Sequence, residues 1–261
     1  MSQSYAKRPL TREERLFYRD RLRAARYAAL ADAEGFEQVC FAVEALGMRL
    51  VDRQEALGKY RDAILSLAST VDWRSDPVER FSGVFTRCAA LYEKLRVARN
   101  DAMHTGAYAR HATSAAIELC IHLEEALMAN NGSDLNSAAD YMVREVVVVE
   151  EWHLVAHARQ MMLMHSFSFL PIRLNGHWKL ISEMSVARFL RQDRANRLAM
   201  PIIDAERIES SLVCDAVEIR SDMGISDLYD APIGDHGRLW LVTEIDGSER
   251  LLGVLTPFEL M

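Results

Sequence analysis

One order of signals occurs twice in the second half of the chain, about 70 residues apart. Phe169-Leu170-Pro171-Ile172 and Trp178-Lys179-Leu180-Ile181 read as two strands joined by a turn at Asn175-Gly176, a dipeptide that accepts the positive φ angles of a tight hairpin. Ser182 then caps a helix running through Val186 and Leu190. Leu239-Trp240-Leu241-Val242-Thr243 and Leu251-Leu252-Gly253-Val254-Leu255 give two strands again, around a turn at Asp246-Gly247-Ser248-Glu249. Thr256-Pro257 opens a last helix, with a hydroxyl at the cap and proline at the first helical position. A repeat of this size needs its twin to cover its sheet.

Before the first repeat, Glu145-Val146-Val147-Val148-Val149-Glu150 reads as a short buried strand. Leu154, Ala158, Met161, Met162 and His165 follow at the spacing of an amphipathic helix. Residues 10–130 differ in character and read as helix almost throughout. Thr11 precedes a charged first turn as an N-cap, and Leu16, Tyr18, Leu22, Tyr27 and Leu30 continue at helical spacing. Phe41, Val43, Leu46, Met48 and Leu50 extend the pattern, with Gly47 as a weak point. Asp76-Pro77-Val78-Glu79 signals another helix start. Leu91, Leu95 and Ala98 form one apolar row; Ala115, Leu119, Leu123 and Leu127 form another. The expected fold of this half is an antiparallel bundle of four or five helices. Asn130 to Ser137 cluster turn and cap residues and mark the boundary. The whole is therefore expected to be α+β: an all-α bundle over 1–130, a linker over 131–138, and an α/β repeat pair over 139–261, with modules at about 139–190 and 199–261.

Half of the residues are hydrophobic and 26% are charged, an ordinary globular composition. The apolar runs are too short for a spanning helix, and no apolar stretch follows the basic N-terminus, so a cytoplasmic protein without membrane contact is expected. Cys40, Cys88, Cys120 and Cys214 are scattered, which argues against a disulfide framework or a zinc ribbon. Residues 1–130 hold 19 Lys and Arg against 18 Asp and Glu, whereas 131–261 hold 12 against 20. The acidic second half argues against nucleic acid there. The first 30 residues carry eight basic side chains against three acidic ones; they read either as phosphate contacts or as a solvated helix face.

The repeat carries further detail. The first copy holds Met161-Met162-Leu163-Met164-His165-Ser166-Phe167-Ser168-Phe169-Leu170-Pro171-Ile172 and then Leu180-Ile181-Ser182-Glu183-Met184-Ser185. The second holds Leu241-Val242 and then Gly253-Val254-Leu255-Thr256-Pro257-Phe258-Glu259-Leu260-Met261. In this order they resemble the CBS domain pair, named for cystathionine beta-synthase, over residues ~139–261. The resemblance implies regulatory binding of an adenine nucleotide: AMP, ADP or ATP. Ser182 and Thr256 stand where a strand turns into a helix, so each hydroxyl can cap the helix or donate to a phosphate beside free backbone N–H groups. Three residues on, the family places an aspartate on the ribose hydroxyls. This chain has Ser185, without a carboxylate, and Glu259, with one extra methylene. Helix caps in a pair that binds nothing remain the other reading of the same four residues.

In the helical half, Arg99-Asn100-Asp101-Ala102-Met103-His104 resembles the R-polar-x-x-x-H motif of HEPN domains, all-helical bundles of which many are metal-independent ribonucleases. A histidine suits proton transfer near neutrality and an arginine fork suits a phosphate. Asn100 and His104, four residues apart, share a helix face. One copy supplies one histidine, so the resemblance implies a homodimer with a shared site and RNA as substrate, cleaved without a metal. The alternatives are a structural Arg–carboxylate pair with an ordinary helix-end histidine, and a non-catalytic dimeric scaffold. His153 and His157, at i and i+4, lack a third metal ligand. No phosphate loop, Rossmann fingerprint or nucleophile elbow occurs.

Overall fold

The computed structural model describes residues 8–69, 87–105, 110–129, 136–230, 239–245 and 250–261; at residues 33, 102–105 and 110 only the backbone is described. The chain divides between Leu135 and Asn136 into two compact units.

Among the described residues the first unit holds five α-helices: α1 (Arg12–Ala31), α2 (Phe36–Val51), α3 (Leu57–Ala68), α4 (Cys88–Thr105) and α5 (Arg110–Met128). The apolar rows expected on the last two face one core. Leu91, Leu95, Leu119, Leu123 and Leu127 are buried with Leu22, Phe36, Val43, Leu46 and Ile64. Thr11 forms a reciprocal capping box with Glu14, and the same carboxylate takes two bonds of 2.8 Å from Arg49 on α2. That guanidinium, with the Thr11 N–H, holds the Glu14 carboxyl down to about 2. Gly47 is not a weak point. The α2 helix runs through it, and a Cβ there would lie 2.5 Å from Cγ of Tyr60, so the missing side chain lets α2 and α3 approach. The helix start expected at Asp76-Pro77 lies outside the described residues.

Much of the basic N-terminal stretch turns inward. Arg15 donates to the carbonyls of Leu127 and Ala129 at the end of α5 (3.3 and 3.2 Å), groups that a helix terminus leaves without backbone partners. Arg19 is fully buried against Asp20. Arg26 grips Glu124 through two bonds of 2.8 and 2.9 Å, with Arg23 3.7 Å from the same carboxylate. At these positions the charge ties α1 to α5, which is neither a phosphate-binding surface nor a solvated face.

In the second unit, β1 (Val149–Glu150), β2 (Phe169–Leu174), β3 (His177–Ser182) and β4 (Val213–Asp215) form one sheet in that order. A second sheet holds β5 (Val217–Arg220), β6 (Trp240–Thr243) and β7 (Leu251–Leu255). In each sheet the leading strand is parallel to the first hairpin strand, and the hairpin itself is antiparallel. Asn175 and Gly176 turn the first hairpin at φ 51° and 86°; the turn at Asp246 to Glu249 lies outside the described residues. Seven short helices complete the unit among the described residues: α6 (Ala138–Tyr141), α7 (Val155–His165), α8 (Glu183–Phe189), α9 (Arg194–Leu198), α10 (Ile202–Ile208), α11 (Ile225–Tyr229) and α12 (Pro257–Leu260).

The two repeats exchange their leader segments. The β4 strand precedes the second repeat in sequence yet pairs with β3 of the first, Cys214 against Leu180. Val143 precedes the first repeat yet bridges Val254 on β7. The helices obey the same rule. Ile202 and Ile203 N–H donate to the carbonyls of His153 and Glu151, whereas Ala138 and Ala139 N–H donate to those of Met223 and Ser221. The cores agree: Ile202, Ala205 and Leu212 are buried with Leu170, Ile172 and Phe189, and Ala138 and Met142 with Ile219, Trp240 and Val242. Leu180, Leu239 and Leu241 are buried between the two hairpins. Each spatial module thus differs from the contiguous ranges 139–190 and 199–261. Residues 136–138, expected in the linker, already belong to the second unit, since the Asn136 carbonyl accepts from Ile225 N–H at 3.0 Å. The valine run is also shorter as a strand than expected. Only Val149 is buried and β1 has two residues, because Val146 to Val148 lie between the pairing of Val143 on β7 and that of Val149 on β2.

Candidate functional site: a cleft lined by three arginines

The strand-to-helix hydroxyls singled out in the sequence close helix caps. Ser182 Oγ accepts from Ser185 N–H at 3.0 Å; Ser185 Oγ accepts from Ser182 N–H at 3.1 Å and lies 2.8 Å from the Leu212 carbonyl. At the end of β7, Glu259 Oε2 accepts from the Thr256 N–H (2.8 Å) and hydroxyl (2.5 Å), and Thr256 Oγ1 accepts from Phe258 N–H at 3.2 Å. Both are reciprocal capping boxes, which satisfy orphan donors of the helix start. Each pair closes its own helix.

A cleft of about 350 Å³ lies elsewhere in this unit, and none of those four residues lines it. Arg144, Arg173 and Arg250 line it together with Val146, Val148, Trp178 and Leu251. Arg173 at the end of β2 stands opposite Trp178 on β3 in the hairpin register. Its Nε donates to the Gly176 carbonyl (3.2 Å), and its guanidinium lies 5.8 Å from the centroid of the Trp178 ring. Arg144 donates to the Ala139 carbonyl at 2.7 Å. Arg250, just before β7, lies 3.7 Å from Glu244 and is largely exposed. Three guanidinium forks and an apolar wall form a surface for an anion with an apolar body. The sequence carried no motif for it. The three arginines are far apart in the chain, and only the exchange of leader segments brings the Arg144 segment alongside β7.

In the helical unit, Arg99 lies 2.7 Å from Glu44 of α2, so an Arg–carboxylate pair is present. Asn100 is exposed on the same helix. His104 belongs to α4, and its side chain lies outside the described residues. The His153 and His157 rings are 4.4 Å apart, and His153 Nδ1 accepts from Glu150 N–H. Burial, then the His157 charge, lowers the His153 pKa. Among the described residues no group of three or more His, Cys, Asp or Glu side chains is placed to hold a metal, and no helix is long and apolar enough to cross a membrane. Burial pushes the Cys40 thiol up to about 12 and that of Cys88 to about 11, far from thiolate reactivity.

No family model matches the chain, and no curated protein matches it. Among solved structures it is similar to a CBS-domain-containing protein of Agrobacterium tumefaciens, at 16% identity over 48% of this chain and 91% of that one, with a TM-score of 0.38. It is similar to CBSX2 in complex with AMP, at 16% identity over 48% and 93%, with a TM-score of 0.38. It is likewise similar to the CBS domain of a bacterial CNNM/CorC-family Mg2+ transporter in complex with ATP, at 11% identity over 48% and 84%, with a TM-score of 0.39.

Proposed function

We propose that residues 136–261 form a CBS-type pair that binds an adenine nucleotide and regulates the helical unit. The observation that carries this reading is the exchange of leader segments between two repeats that bear the Phe-Leu-Pro-Ile and Gly-Val-Leu-Thr stretches. It joins two half-sheets into one body with an arginine-lined cleft. The test is a thermal melt of the full chain with millimolar AMP, ADP or ATP. A ligand bound only by the folded state stabilises it by about 2.7 kcal/mol at a hundredfold excess over Kd. The expected result is a rise in Tm of several degrees; no rise with any of the three overturns the reading. Thr256→Ala with Glu259→Ala lowers the unliganded stability through the lost cap, by about 1 kcal/mol. If the ribose sits there, as the resemblance implies, the pair of substitutions also removes most of the nucleotide-dependent shift.

The second reading is that the helical unit is an HEPN-like endoribonuclease acting as a homodimer, with Arg99, Asn100 and His104 as its catalytic set. It is supported by all three residues lying on α4, in a unit whose described residues hold five α-helices and no strand. Arg99 would exchange Glu44 for a phosphate on binding RNA. The expected result is cleavage of mixed RNA in EDTA that leaves 2′,3′-cyclic phosphate ends, lowered about 100-fold by His104→Ala. A wild-type protein inert on RNA, with and without nucleotide, favours the non-catalytic scaffold.

A further inference from the structure

We infer that the groove between α7 and α8 is a second ligand site, one that takes a single-chain amphiphile with one anionic head, a fatty carboxylate. The inference stands apart from the nucleotide reading and does not use the arginine-lined cleft.

The groove has a volume of about 500 Å³, within the range of about 300–1,000 Å³ usual for small-molecule sites. Its polarity follows from the chain. Glu183 N–H donates to the Ser168 carbonyl at 2.9 Å, so α8 starts beside the end of α7, and the Glu183 carboxylate stands at that end of the groove. Arg159 comes seven residues before Ser166 on α7, and Leu190 comes seven residues after Glu183; at the helical rise each is about 10 Å away from the acidic end. Arg194, which opens α9 four residues after Leu190, stands on the same side as Leu190. Between the two ends, Met162, Val186 and Leu190 form a buried floor, and Leu163 and Phe167, 63% and 37% exposed, form an apolar lip. A methionine in the floor adapts to the shape of a flexible chain. Among the described residues neither the Arg159 nor the Arg194 guanidinium has a hydrogen bond or ion pair. Water satisfies such groups on an ordinary surface; what singles these two out is their place at one end of an apolar groove. A fatty carboxylate answers both features. Its head matches the fork of an arginine through charge-assisted bonds, and its chain covers Leu163 and Phe167, which otherwise face water. Glu183 at the far end repels a second anionic group, so a dicarboxylate or a polyphosphate does not fit.

Calorimetric titration of the full chain with octanoate, decanoate and dodecanoate, below their micelle-forming concentrations, tests this. Decanol, decyltrimethylammonium and decanedioate serve as neutral, cationic and doubly anionic probes. Affinity for the carboxylates is expected to rise about fourfold per added methylene, and decanoate should bind at least tenfold more tightly than the three other ten-carbon probes. Arg159→Gln with Arg194→Gln is expected to remove the preference for decanoate over decanol while changing decanol affinity less than threefold. Ala187→Trp, at an exposed position in the groove, should abolish binding of every probe, and it repeats the test should the double variant fold poorly. Decanol binding as tightly as decanoate overturns the inference, as does an affinity independent of chain length, which would leave the arginines a mere surface charge. Carboxylate binding unaffected by both sets of substitutions places the ligand elsewhere and overturns it too. A dimer by light scattering that Ala187→Trp splits, with no binding of any probe, gives the groove to a second copy of the chain and overturns the inference.

Discussion

Glu124→Ala is expected to cost the helical unit about 3–5 kcal/mol, the usual loss when one member of a buried ion pair is removed. The Glu124 side chain is only 10% exposed, and Arg26, whose two bonds to it are 2.8 and 2.9 Å, is 18% exposed. The truncation takes away both bonds of Arg26 and the carboxylate 3.7 Å from Arg23, while the two guanidiniums stay packed between α1 and α5. The penalty is mostly that of cations left in a poorly solvated place. Glu124→Gln keeps the volume and a hydrogen-bond acceptor, so its loss should be smaller but still above 1 kcal/mol. Arg8→Ala is the control: Arg8 pairs with Glu14 at 3.0 Å but is 70% exposed, and its removal should shift stability by less than about 0.5 kcal/mol. Chemical denaturation followed by helical circular dichroism measures all three. A Glu124→Ala variant within 1 kcal/mol of wild type would mean that water reaches these charges freely.

Gly253→Ala is expected to cost the second unit about 3 kcal/mol or more, a single methyl group notwithstanding. A Cβ on Gly253 would lie 2.7 Å from the Val143 carbonyl oxygen and from Met142 Sδ. That carbonyl is not free to yield. It accepts from Val254 N–H at 3.0 Å while Val143 N–H donates to the Val254 carbonyl at 2.8 Å, so relief of the clash breaks the bridge that holds the exchanged leader. Overpacking of this kind costs about 1–3 kcal/mol, and the lost backbone bonds add to it. Gly176→Ala separates packing from backbone strain, since its added Cβ meets nothing within 4 Å and its φ is 86°. That variant should lose only the ~1–2 kcal/mol of a left-handed residue. If urea denaturation shows Gly253→Ala to be more stable than Gly176→Ala, the leader is not tightly seated on β7.

What the sequence disclosed was local. The four hairpin strands, the Asn175-Gly176 turn and the caps at Ser182 and Thr256 are decided within a few residues, and each stands where the pattern placed it. The apolar rows of α4 and α5 were legible because helical spacing alone sets which side chains share a face. The partners of β4 and of Val143 were not legible. Nothing within Val213–Asp215 or beside Val143 distinguishes the adjacent repeat from the distant one; the choice is made by which core accepts Leu212 or Met142. The arginines show the same limit. A basic N-terminus looks like a surface until Glu124 is seen across from it, and Arg144, Arg173 and Arg250 look like scattered surface charges until the sheets are paired. The Ser182, Ser185, Thr256 and Glu259 pattern is consistent with a nucleotide and with a cap, and the bonds these groups make with one another are those of caps.

The exchanged leader also sets a timetable for synthesis. Asn136 to Val143 leave the ribosome early, but Val254, the β7 residue that Val143 pairs with, comes more than a hundred residues later. At about 5–20 residues per second, that interval lasts several seconds or longer. Throughout it, Ala138 and Met142 have no core to enter, whereas the helical unit before them already has its full sequence. The first module, too, waits for Leu212 and β4 before its sheet is whole. The first module, Val149 to Asp215, is therefore whole once β4 has been made, whereas the second closes only when Val254 meets Val143.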